Sequence, residues 1–162
     1  MAKSEKLTVK ELKEKLLADK KNAVLRMSEE ELKKCDKFCE GYKAFLDIAK
    51  TEREASAEIV KMAKARGFVE FSAKNKYKPG DKVFYLNREK SVILAVIGKE
   101  SIENGVNLVA AHIDSPRLDM KQNPLYEKDE VAYFKTHYYG GIKKYQWTAI
   151  PLSMHGKVAR KD

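Results

Sequence analysis

An α/β layer structure is the fold class the sequence predicts, with α+β as its near variant, and three observations carry that reading. Two helices open with capping boxes, Ser28 with Glu31 and Thr51 with Glu54. After Gly67 the spacing of apolar residues changes from three-and-four to two. From there strand-length apolar runs alternate with turn signals, so helices come first and sheet follows.

Taken in order, Leu7, Leu12, Leu16 and Leu17 predict a first helix from Leu7 to about Leu25 with many exposed lysines. The second helix follows Ser28, and its stripe of Leu32, Cys35, Phe38, Cys39, Tyr42, Phe45, Leu46 and Ala49 requires one buried face. Glu29, Glu30 and Glu31 fall in its first turn, where negative charge suits the helix dipole, a structural role. Cys35 and Cys39 lie four apart on this helix, an awkward geometry for a disulfide and no match to a zinc module; free thiols packed in a core are expected. The third helix runs through TEREASAEIVKMAKARG, with Lys64 and Arg66 in its last turn and Gly67 as its stop.

FVEFSA, KVFYLN, SVILAVIG and VNLVAAHI then read as strands, divided by turns at KPGD (78–81), NREK (87–90) and ENG (103–105). Beyond Lys121 the texture changes. Asn123-Pro124 is expected to break the chain, and the aromatic and β-branched stretch after YEKDE opens a second, β-rich unit. MHGKVARKD reads as a strand arriving at a hairpin turn at Lys161-Asp162.

The net charge is +9, yet residues 1–66 carry 17 basic and 13 acidic side chains and residues 67–162 carry 16 and 11, so the excess is spread evenly. Nucleic-acid binders concentrate Lys and Arg on one stripe, which argues against nucleic acid as a partner. No apolar run approaches the ~20 residues of a membrane span, and the N-terminus lacks a secretory signal, so a cytoplasmic protein is expected.

The chemistry centres on AAHIDSPRLD, residues 110–119. His112 and Asp114 are alternate residues at the exit of an apolar strand and face the same way. A zinc-bound imidazole commonly donates its second N–H to a carboxylate, a task within reach of Asp114. A His-x-Asp triplet is common by chance, and a hydrogen-bonded structural histidine is the alternative. Arg117, Asp119 and Lys121 either line a pocket for an acidic side chain or form a solvated strand exit. Tyr138, Tyr139 and Trp147, beside Gly140-Gly141, either form an interface or pack on a sheet, the second being favoured. His137 and His155 have no carboxylate at ligand spacing and read as surface or structural residues.

The run NLVAAHIDSPRLDMKQNPLYE, with TERE at 51–54, KPGDKVFYLNREK at 78–90 and FKTHYYGGIKKYQW at 134–147, closely resembles the aspartyl aminopeptidase family of zinc metallopeptidases over about residues 45–160. That resemblance implies a partial zinc-exopeptidase catalytic domain of α/β type, N-terminal helices then mixed sheet, over residues 1–122. It implies that residues 123–162 begin an inserted β-rich domain through which the family forms homo-oligomers. By the same resemblance His112 is a zinc ligand and Asp114 its orienting partner, in a site of two Zn2+ ions that hydrolyses peptides with acidic N-terminal residues. The family's remaining ligands and its general base would fall beyond Asp162. The chain alone is therefore expected to be an inactive fragment of an aminopeptidase, or, as the alternative, an interaction and assembly module.

Overall fold

The computed structural model describes residues 8–17 and 22–161. These fall into two compact units that divide between Lys43 and Ala44.

The first unit is helical. Helix α1 spans Val9–Leu16 and opens on a capping box absent from the sequence reading: Glu11 Oε2 accepts from the Thr8 amide at 2.7 Å, and the Glu11 amide donates to Thr8 Oγ1 at 3.4 Å. A separate 3-10 turn, Ala23–Arg26, is capped by Asn22. Within the described residues the helix expected from Leu7 to Leu25 is a short helix ending at Leu16 and a separate tight turn; Leu7 and residues 18–21 lie outside the described residues. Val9, Leu16 and Leu25 are at least 71% exposed, so little apolar burial sustains a longer helix.

Helix α2, Glu29–Ile48, starts where Ser28 and Glu31 place it: the Ser28 amide donates to Glu31 Oε2 at 2.8 Å, and the Glu31 amide to Ser28 Oγ at 3.3 Å. The Ser28 amide, and with it the Ser28 hydroxyl donating to the same Oε2 at 3.0 Å, holds the Glu31 carboxyl below its ordinary range. The expected buried face is only partly present: within α2 no residue is fully buried, Leu32 and Phe45 are half-buried and Phe38 is 76% exposed, while Ala49, the last member of the stripe, is buried just past the helix. Cys35 and Cys39 are likewise exposed free thiols, not core residues. Periodicity specifies an apolar stripe, but only a packing partner turns a stripe into a core.

In the second unit α3, Glu52–Ala65, supplies that partner for a sheet. Its capping box closes through Thr51 and Glu54, and it ends at Gly67, whose φ of 83° suits a residue without a Cβ. Small residues, Ala55, Ser56 and Ala63, form its buried face, so the helix approaches the strands Lys82–Asn87 and Ser91–Val96 closely. Phe84, with Lys64 of the helix 5.7 Å over its ring, is 2% exposed, and its neighbour Val83 on the strand's other face is 5% exposed.

The sheet is mixed. Strand β1 (Val69–Glu70) runs parallel to β2 (Lys82–Asn87), which pairs antiparallel with β3 (Ser91–Val96) in the order β1-β2-β3. Strand β2 has the bounds that alternation predicts, whereas FVEFSA shrinks to two paired residues. The three-residue β2–β3 turn between the paired Asn87 and Ser91 places Arg88 and Glu89 in the left-handed region, at φ of 52° and 61°.

VNLVAAHI is not a strand. Residues 106–116 form no regular element, and Leu108 and Val109 are 82% and 95% exposed. Such a run suits a strand buried on both faces, which needs ladder partners on its flanks; among the described residues none pairs with it.

Strands β4 (Arg117–Lys128) and β5 (Val131–Tyr139) form a separate antiparallel hairpin. Asn123-Pro124 does not end β4. It falls in the register irregularity between Met120 and Leu125, where a residue with no amide N–H is tolerated. Past Gly140-Gly141 a one-turn helix, α4 (Lys144–Trp147), interrupts the expected β texture. Residues 151–161 contain no strand, so the expected strand is missing over 154–161, and Asp162 of the expected turn lies outside the described residues. Contacts between side chains tie this segment instead: Lys157 Nζ lies 2.8 Å from Glu89 Oε2, which also accepts from Arg53 at 2.7 Å.

Candidate functional site

His112 stands in the irregular segment just before β4, not at the end of a strand, with its side chain 80% exposed. Its Nδ1 lies 2.9 Å from the Asp114 carbonyl oxygen and 3.2 Å from Asp114 Oδ1. Both oxygens only accept, so Nδ1 carries the proton and Nε2 keeps a lone pair. The Asp114 carboxyl is held below its usual range, first by the Tyr139 hydroxyl, then by its own backbone, with a smaller contribution from His112 against a desolvation cost. The same contact pushes Tyr139 up.

The hairpin fixes this arrangement. Tyr139 on β5 sits opposite Arg117 on β4, whose guanidinium lies 4.1 Å over the tyrosine ring, while Arg117 Nε donates to Asp119 Oδ1 at 2.7 Å. Gly140 has φ of 74°, a conformation that suits a residue without a Cβ, and packs beside Pro116, whose ring carbons a Cβ would meet at an ordinary contact distance of 3.5 Å. Arg117 and Asp119 therefore neutralise each other, and Lys121 is exposed.

A cavity of about 770 Å³ opens alongside, its wall starting at Ser115 and including Lys50, Arg117, Asp119, Trp147 and His155. Tyr138 and Tyr139 remain 45% and 42% exposed, so the favoured sheet packing covers them only in part. His137 pairs in register with Asp119 and stacks on Tyr138 at 5.1 Å between ring centroids.

His155 departs from expectation. It has a carboxylate after all, from a residue 101 positions earlier: its Nδ1 lies 2.8 Å from Glu54 Oε1. The hydrogen bond to His155 is the largest cause of a lowered Glu54 carboxyl pKa. Local spacing held no trace of this pair, because the partner arrives through the fold.

Zinc chemistry needs about three protein ligands and an open position. Among the described residues no three His, Cys, Asp or Glu side chains gather to hold a metal. His112 fits as one corner of such a cage, with a free ring nitrogen and an oriented tautomer. No helix among the described residues is long and apolar enough to cross a membrane.

A family model described as aminopeptidase I zinc metalloprotease (M18) matches residues 45–162. A probable M18 family aminopeptidase 1 of Borrelia garinii is 51% identical over 143 residues, covering 88% of this chain and 31% of its own length. That of Clostridium acetobutylicum is 46% identical over 151 residues, 91% of this chain and 32% of its own. The crystal structure of aminopeptidase I from Borrelia burgdorferi superposes with a TM-score of 0.72 at 49% identity, over 78% of this chain and 31% of that one. This chain thus spans about a third of the length of the curated relatives it matches.

Proposed function

The chain belongs to the aminopeptidase I zinc metalloprotease (M18) family, and from that premise we propose that His112 ligates zinc through Nε2 while Asp114 orients its ring. One observation carries the reading: the Nδ1 contacts of 2.9 and 3.2 Å to Asp114 leave a lone pair on an exposed ring. Zinc in such a centre, two ions in the complete enzyme, supplies an acidified water and polarises the peptide carbonyl. The residues of this chain hold the imidazole tautomer: Tyr139 steadies Asp114, and Asp114 steadies His112.

The organisation proposed with it assigns residues 1–122 to the opening of the catalytic domain and 123–162 to an inserted β-rich unit that assembles homo-oligomers. The substrates are peptides with an acidic N-terminal residue, met in the cytoplasm. Hydrolysis belongs to a protein of the relatives' length and not to these 162 residues, since one ligand does not make a catalytic zinc site.

The test is zinc-dependent hydrolysis of an aspartyl chromogenic substrate by a protein of that length, with zinc binding followed by calorimetry. His112→Ala is expected to abolish turnover, and Asp114→Ala to cost about 10–100-fold in zinc affinity or activity. Unchanged zinc binding and turnover in His112→Ala would overturn the assignment.

A further inference from the structure

Ser153, His155 and Glu54 stand in the order of nucleophile, base and orienter. Ser153 Oγ lies 2.8 Å from His155 Nε2, and His155 Nδ1 lies 2.8 Å from Glu54 Oε1. A carboxylate oxygen only accepts, so Nδ1 carries the proton, Nε2 presents its lone pair, and the Ser153 hydroxyl donates to it. The orienter is itself fixed, because Glu54 Oε2 accepts from the Thr51 amide at 2.9 Å and the Thr51 hydroxyl at 3.0 Å at the start of α3.

Access is open as well. Ser153 and His155 line the 770 Å³ cavity, together with the apolar surfaces of Trp147, Leu152 and Met154. The side chains of His155 and Glu54 are 31% and 37% exposed.

We propose that Ser153 is an activated nucleophile, with His155 as its general base and Glu54 as the positioning residue, and that the site takes small activated esters. Ser153 Oγ bonds to the acyl carbon as its proton passes to His155 Nε2. The carbon–oxygen bond to the leaving group then breaks, and the alcohol departs with that proton. Water, deprotonated by the same nitrogen, releases the acid and restores the serine. A fluorophosphonate stops at the first stage, forming the serine O–P bond and releasing fluoride and the proton.

The experiment treats the 162-residue chain with a fluorophosphonate, and separately with p-nitrophenyl acetate, in the presence of a metal chelator, and maps the adduct by peptide mass spectrometry. One adduct is expected, at Ser153, and Ser153→Ala abolishes it. His155→Gln slows labelling by about 100-fold, within the span of general-base catalysis. Glu54→Gln keeps the capping box, since Gln serves at that position. It should leave the helical circular dichroism signal intact and lower the acylation rate at saturating ester without moving the half-saturating concentration. A chain with full helix signal and no label on Ser153, or equal labelling in His155→Gln, overturns the proposal. The chelator keeps this result independent of the zinc peptidase reading, which it neither supports nor harms.

Discussion

Helices α2 and α3 begin alike and end differently. Each opens on a hydroxyl residue whose oxygen caps the third amide, with a glutamate reaching back, Ser28 with Glu31 and Thr51 with Glu54. Only α3 buries side chains, and it does so with the small residues Ala55, Ser56 and Ala63 against β2 and β3. The contrast separates two jobs. Caps decide where a helix starts, whereas burial depends on what another element offers, and on the larger stripe of α2 Phe38 and Tyr42 stay exposed and Phe45 is only half-buried.

The sharpest way to break the comparison is to remove one aromatic from each region. Phe84→Ala, beneath α3, is expected to cost about 3–5 kcal/mol in urea unfolding. Phe38→Ala on α2 should stay within about 0.5 kcal/mol, as surface changes do. Equal costs would mean that α2 is packed in solution and that the contrast fails.

A smaller effect follows from the caps. Thr51→Ala should lower global stability by about 1 kcal/mol, because α3 is part of the cooperative core. Ser28→Ala should instead reduce helical ellipticity locally and leave the urea midpoint of the core in place. A shift of that midpoint comparable to the one from Thr51→Ala would tie the two helices into one folding unit.

The smallest effect concerns acid. Glu31 and Glu54 are both held below their ordinary value of 4.5, by Ser28 and by His155 with Thr51 respectively. A depressed carboxyl stabilises the fold above 4.5 and loses that contribution as pH falls through its lower folded value. Ellipticity should therefore be flat down to about pH 4.5 and decline below it. Glu31→Gln should remove part of the decline without unfolding the sheet; a decline centred well above that pH would point to other groups.

Much of this frame was legible in residue order. Both capping boxes, the stop at Gly67, the bounds of β2 and the β2–β3 hairpin follow from local chemistry, which short windows encode. The chemically telling string at 110–119 was legible too, down to the proximity of His112 and Asp114. What failed shares one cause. VNLVAAHI, the α2 stripe and the two cysteines state a need for burial, and residue order does not say whether a partner answers it. Asn123-Pro124 reads as a break because a proline removes one donor, yet a bulge absorbs that loss. Glu54 with His155 was invisible for a different reason, since 101 residues separate the pair.

The fastening of the C-terminal stretch carries one more consequence. Glu89 gathers Arg53 and Lys157, with side chains 59%, 34% and 61% exposed in that order, so water and dissolved ions compete for every bond in that knot. Charges in such surroundings are screened over about 8 Å at physiological ionic strength and over less in brine. Concentrated salt would therefore free this end of the chain to proteases while Phe84 stays sheltered, an order of release set by the kind of force at each place.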